Sequence, residues 1–259
     1  MDIITHINGY ISPLYTQKSK DIFSRLPFDK YKLLLNMYVE QHDINYNEYA
    51  LFKLSNNDSV EFIDTYKTES DKNTYNVMYY DPNENTYILQ IYGYENMYEL
   101  IITNQNRYIF VPIMFSIKDN KIGHATMIII DKKELTIKFF DSNGLSKGFI
   151  NSNIIDRFLD LYFNIFNITF DEKYKYINQH QWITQKINRY VLNSSNLKND
   201  NINSGHCMIF ILIISHILSK EKLDLDDIII QFNQIKKNEL IDIVMGYTER
   251  AIENLKLIL

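Results

Sequence analysis

One cysteine, four prolines, seven glycines and one tryptophan are all that 259 residues contain of these types. A single cysteine excludes a disulfide within the chain and any cysteine-rich zinc site, so the chain is not built for an oxidising compartment. Its thiol, if used, is used as a thiol. Scarce Gly and Pro beside abundant Asn, Ile, Lys and Tyr read as the composition of an AT-rich genome, that of a virus, protist or intracellular bacterium. There is also no excess of positive charge: the formal net charge is -5, the pI is near 5.7, and the pairs Lys132-Lys133 and Lys236-Lys237 stand isolated among acids. Nucleic-acid binding therefore gains no support. The N-terminus lacks a basic segment followed by an apolar stretch and a small-residue cleavage site, so no signal peptide is expected. The longest apolar run, Cys207 to Leu218, is 12 residues long and interrupted by Ser215 and His216. A bilayer span needs about 20, so this run predicts a buried helix in a soluble protein.

What is present is globular. The chain is 46% hydrophobic and 14% aromatic against 23% charged, enough to bury one core with a smaller accessory region and far from the composition of disorder. Residues 1 to about 50 read as helical, most clearly Pro27 to Gln41, where Leu33, Leu34, Met37 and Tyr38 recur at helical spacing. From about Ser59 the pattern shortens to alternating, Tyr-rich and β-branched runs: Val60 to Tyr66, Tyr75 to Tyr80 and Thr86 to Tyr92, the last two joined by the turn signal Asp81-Pro82-Asn83. Arg107 to Ile117, Ala125 to Ile130 and Glu134 to Phe140 follow as strands, the last two separated by a turn at Asp131 to Lys133. Ile154 to Phe166 returns to a helical stripe, capped by Ser152 or Asn153. Tyr174 to Gln185 reads as a strand and Asn193 to Gly205 as a loop. Two amphipathic helices, Asp224 to Lys236 and Glu239 to Leu257, close the chain, and no internal repeat is visible. The fold class predicted is α+β, with a central mixed or antiparallel sheet flanked by helices.

Three spots stand out: Gly123-His124-Ala125, Phe140-Asp141-Ser142-Asn143-Gly144 and Ser204-Gly205-His206-Cys207. In a hairpin turning near its midpoint, the start of the first strand faces the end of the second. That places His124 beside Asp141, where a carboxylate fixes the imidazole tautomer and stabilises the imidazolium formed on proton transfer. Cys207 lies where a Gly-containing loop enters an apolar helix, a junction whose backbone N–H groups suit a nucleophilic sulfur and an oxyanion. Taken singly, each feature is ordinary: a lone cysteine in an apolar helix is usually a small hydrophobe, and Asp-Ser-Asn-Gly is a common turn. Their order and placement together point to nucleophilic catalysis. His206 and His216 compete with His124 for the base, but the first diverges from Cys207 and the second lies over two helical turns away. Trp182, in an alternating strand, reads as core.

These motifs resemble the cysteine peptidases that include the adenovirus protease, the SUMO-deconjugating proteases and relatives from large DNA viruses. The order that carries the resemblance is Tyr108 to Ile113 with Pro112, then His124, Ile128 to Asp131, Phe140-Asp141-Ser142 and Gly205-His206-Cys207, with a 17-residue step from His124 to Asp141. It covers about residues 105 to 220. Where the family commonly has Trp after the histidine and its deconjugating branch Gly after the cysteine, this chain has Ala125 and Met208, which bears on SUMO specificity more than on chemistry. The resemblance implies a papain-like core with the nucleophile at the start of a buried helix, a Cys207-His124-Asp141 triad, and an amide donor to the oxyanion. Gln185 is the first choice for that donor and Asn201 the second. It implies no cofactor and no metal. The partner expected is a protein substrate, either a ubiquitin-like modifier or a viral precursor, without nucleic acid or membrane, in the cytoplasm, host cytoplasm or virion. Residues 1–104 would serve substrate recognition and 105–259 form the peptidase core. Two rivals stay open: an acetyltransferase using the same three residues, and a non-catalytic member of the fold.

Overall fold

A computed structural model describes Leu34 and residues 48–54, 60–67, 76–92, 103–117, 123–142, 174–177, 207–220 and 223–258. Among the described residues eight strands form one sheet: β1 (Glu48–Leu54), β2 (Val60–Lys67), β3 (Asn76–Asp81), β4 (Thr86–Tyr92), β5 (Tyr108–Ile117), β6 (Gly123–Asp131), β7 (Thr136–Phe140) and β8 (Lys175–Ile177). Their order across the sheet is β2-β1-β4-β3-β5-β6-β7-β8. The β3–β5 and β7–β8 junctions are parallel, while β1–β2, β1–β4, β3–β4 and β5–β6 are antiparallel. The sheet is therefore mixed, and with the helices below the α+β class holds.

The described residues divide into two compact units. One holds the sheet through Phe139 together with β8; the other holds Leu34, Phe140 to Ser142 and residues 207–258. In the sheet unit, burial of Ile109, Val111, Ile113 and Phe115 on β5 and of every residue from His124 to Asp131 on β6 marks these as central strands. Continuous burial on both faces is what unbroken Val/Ile-rich runs provide. The β3–β4 hairpin turns where Asp81 and Pro82 signal it: the Asp81 carboxylate accepts from the backbone N–H of Asn83 at 3.0 Å, and Asn85 takes the left-handed conformation, φ 51°.

In the helical unit, α1 (Cys207–Lys220) is apolar all round, as a fully buried helix must be, and only Ser219 and Lys220 at its end are exposed. Helix α2 (Leu225–Gln234) is capped by Asp224, whose carboxylate accepts from the N–H of Asp227 at 2.9 Å. Helix α3 (Lys237–Ile258) follows it in the chain. Phe210 of α1 meets Phe232 of α2 edge to face at 6.4 Å, and His216 of α1 meets Tyr247 of α3. No described helix is long and apolar enough to cross a membrane.

Two expectations need correction. Helix does not run to residue 50, because Glu48, Tyr49 and Ala50 already belong to β1; the run from Glu48 to Leu54 has no β-branched residue and is rich in good helix formers, so only its pairing on both sides makes it a strand. The β6–β7 turn spans Lys132 to Leu135, and β7 begins at Thr136 instead of Glu134. Asp131 consumes the extra residues by accepting from the N–H groups of Lys133 and Glu134 at 3.0 and 3.2 Å. Within Pro27 to Gln41 only Leu34 is described, helical and fully buried. The stripe from Ile154 to Phe166, Trp182 and the loop from Asn193 lie outside the described residues, as does the predicted strand beyond Ile177.

Candidate active site

Cys207 is the first residue of α1 and 9% exposed. No acidic side chain stands in the first turn of that helix, at the end where a helix carries partial positive charge. The apolar mass behind Cys207, from Ile209 to Ile214, is fully buried. The helix is thus anchored by its body, and its N-terminal residue is presented at the boundary of the core. Met208, which stands where the deconjugating branch has Gly, is half-buried.

His124 is the second residue of β6, buried with 8% exposure, and pairs across the ladder with Phe115 of β5. Next to it, Thr126 donates its hydroxyl to the carbonyl of Ile113 at 3.3 Å. Directly paired residues project from the same face of a sheet, so the imidazole shares its face with the Phe115 ring. Phe115 in turn meets Phe139 of β7 edge to face at 6.2 Å. The aromatic contact links Phe139, two residues ahead of Asp141, to the Phe115 ring that is paired with His124. Asp141 follows β7 directly and is half-buried between the buried residues Phe140 and Ser142.

Each predicted triad member is therefore at a defined place: Cys207 at a helix start, His124 at a strand start, Asp141 just past a strand end. His124 belongs to the sheet unit, and Asp141 and Cys207 to the helical unit. The oxyanion candidates Gln185 and Asn201 lie outside the described residues, as does His206. His216 is committed elsewhere: its Nδ1 shares a 2.6 Å hydrogen bond with the buried hydroxyl of Tyr247, which makes it a fixture between α1 and α3. Among the described residues no cluster of three His, Cys, Asp or Glu side chains is arranged to hold a metal ion.

No protein-family model matches the chain, and no curated protein matches it. Among solved structures, SUMO protease Ulp1 with its catalytic cysteine oxidised to a sulfonic acid aligns at 20% identity over 63% of this chain and 63% of that one, with a TM-score of 0.34. The same protease with the cysteine oxidised to a sulfinic acid aligns at 16% identity over 62% of this chain and 60% of that one, with a TM-score of 0.32. The chain thus spans less than two thirds of the length of either structure. Overlap of this extent decides neither fold nor chemistry.

One supporting group escapes a reading of the sequence. Arg107 donates Nε to Asp131 Oδ1 at 3.0 Å and Nη2 to Oδ2 at 2.7 Å, and stacks over the Tyr108 ring at 4.6 Å. The Lys132 ammonium reaches the carbonyl of Asn104, and the Lys132 N–H donates to the carbonyl of Arg107 at 2.9 Å. Burial by itself would raise the Asp131 carboxyl, but the Arg107 side chain and the N–H groups of Glu134 and Lys133 outweigh it and hold it below the ordinary carboxylate value. This clamp closes the end of the β5–β6 ladder opposite His124. Its only trace in the sequence is an opposite-charge pair, 24 residues apart, at two strand ends.

Proposed function

We propose that the chain is a cysteine peptidase cleaving a peptide or isopeptide bond in a protein substrate, a ubiquitin-like modifier or a viral precursor, in the cytoplasm, host cytoplasm or virion. Cys207 is the nucleophile, His124 its base and Asp141 the orienting acid. The observation that carries the proposal is the place of the chain's single cysteine: residue one of a buried apolar helix, with no acid in its first turn. The buried imidazole at the start of β6 adds to it.

In this reading His124 takes the Cys207 proton, and the thiolate attacks the carbonyl carbon. Backbone N–H groups at the start of α1, with the amide of Gln185 or Asn201, receive the developing oxyanion. Collapse breaks the C–N bond, and the imidazolium returns its proton to the departing amine. Water, deprotonated by the same imidazole, then attacks the thioester, releasing the carboxylate and restoring the thiol. Residues 1–104 supply substrate recognition, a division by role, since the chemistry draws on residues 105–259.

The test is a panel of electrophilic probes built on ubiquitin-like tails and on Gly-Gly peptides. The expected result is a stable adduct on Cys207 with one probe class, absent in Cys207→Ala and strongly slowed in His124→Gln. Labelled acetyl-coenzyme A run beside it should leave no acyl-protein. An acyl-protein that passes its label to a Ser, Thr or Lys acceptor would make the enzyme an acetyltransferase, and no adduct with any probe would make it a non-catalytic member of the fold.

A further inference from the structure

The register of the sheet sets His124 at the end of a row. Phe52 on β1 is opposite Leu89 on β4, Leu89 opposite Met78 on β3, Met78 opposite Phe115 on β5, and Phe115 opposite His124 on β6. Directly paired residues share a face of the sheet, so four apolar side chains from four strands line up with one imidazole. All five are buried, and His124 is the one polar member. Two residues on and on the same face, Thr126 donates its hydroxyl to the carbonyl of its own ladder partner Ile113 at 3.3 Å, which ties the register beside His124.

The second torsion of an imidazole is broad, with no sharp staggered well, so packing decides how firmly the ring is held. Across a ladder the Cβ atoms lie about 5 Å apart, which puts the Phe115 ring within packing reach of His124. Phe115 is itself confined: Phe139 meets it edge to face at 6.2 Å, and Met78 is its partner at the parallel β3–β5 junction. We propose that Phe115 is the positioning residue of the base, fixing the plane of the His124 ring, and that Met78 supports Phe115 from the N-terminal strands. The inference rests on the peptidase reading and extends it: Met78, a residue of the 1–104 segment, bears on the base without touching substrate.

The experiment uses the full chain and iodoacetamide, which in a protein with one cysteine reports on Cys207 alone. A free thiol ionising near pH 8.5 is about 0.3% thiolate at pH 6, and the parent should be alkylated there much faster than such a thiol. His124→Gln should lower the pH 6 rate about fiftyfold or more, Phe115→Leu about fivefold or more, and Met78→Val about threefold. At pH 9.5, where the thiol ionises unaided, neither Phe115→Leu nor Met78→Val should react more slowly than the parent. Damage that merely blocked access to the sulfur would slow both pH values alike. Phe110→Leu, which removes a similarly buried ring from the same strand but the opposite face, should match the parent at both. Met78→Val keeps the Phe115 ring, so it decides the matter should Phe115→Leu fail to fold. A parent profile that His124→Gln does not move would overturn the peptidase reading and this inference with it. If His124→Gln moves the profile while Phe115→Leu and Met78→Val follow the parent at pH 6, the inference alone is overturned. An equal loss in Phe110→Leu would overturn it too, by assigning the effect to the stability of the sheet.

Discussion

An imidazole serves as a base only when its ring is held, and the surroundings of His124 are suited to holding: a ladder partner in Phe115, a buried position, and Phe139 closing the aromatic layer from β7. His124→Gln should lower kcat on a cleavable substrate by about a thousandfold with KM little changed, while Asp141→Asn lowers it by about a hundredfold or more. Steady-state kinetics on the probe class identified above would check both; an Asp141→Asn variant with parental kcat would remove that residue from the triad. The Arg107–Asp131 clamp makes a different prediction at the same scale. Because the folded Asp131 carboxyl lies below its unfolded value, the clamp stabilises the fold above about pH 4 and loses that contribution as pH falls further. Asp131→Asn should therefore cost about 2 kcal/mol near neutral pH, where charge-assisted bonds are lost, and should flatten the acid side of the stability profile measured by urea unfolding. A parallel acid slope in the variant would mean that other carboxylates carry it.

Among the elements, turns and helix starts are the features a sequence states most openly. Asp224 before an apolar period, Asp81-Pro82 between two Tyr-rich runs, and the onset of continuous apolarity at Cys207 each appear where local chemistry demands them. Strand β1 does not, because Glu-Tyr-Ala-Leu-Phe-Lys-Leu has no local preference for extension and becomes a strand only by pairing with β2 and β4. The parallel β3–β5 junction is hidden for a related reason: Asn76 meets Ile113 across 37 residues, and neither run signals its neighbour. The triad candidates were visible as strand and helix ends, whereas the ring that pairs with His124 depends on register. Two elements offer direct tests. Leu135 occupies the left-handed region at φ 52° in the β6–β7 turn, a conformation that costs a branched side chain energy and an Asn much less. Leu135→Asn should raise stability by about 0.5 kcal/mol and Leu135→Val lower it, as read from denaturant midpoints. Tyr247→Phe, which removes the hydroxyl from His216, should cost about 1–2 kcal/mol without moving the far-UV spectrum.

At the scale of the molecule, a division by role and a division by folding are different matters. The segment proposed for substrate recognition, residues 1–104, includes β1 to β4, and these continue the same sheet that carries His124, joined through the five paired positions from Asn76–Ile113 to Tyr80–Ile117. Leu34, also in that segment, is fully buried in the unit that holds α1. Cutting at residue 104 would therefore open one side of β5, a strand whose residues from Tyr108 to Val111 are buried, and would remove a core side chain from the helical unit. A parallel junction needs covering on both faces and along its edge, so the exposed strand would seek other partners. Residues 105–259 expressed alone should show no cooperative thermal transition and should aggregate, and the fragment should then give no adduct with the probes although Cys207, His124 and Asp141 are all present in it. If that fragment instead melts cooperatively and labels at the parental rate, the N-terminal region is an independent module, and substrate recognition by it must act through contacts outside the shared sheet.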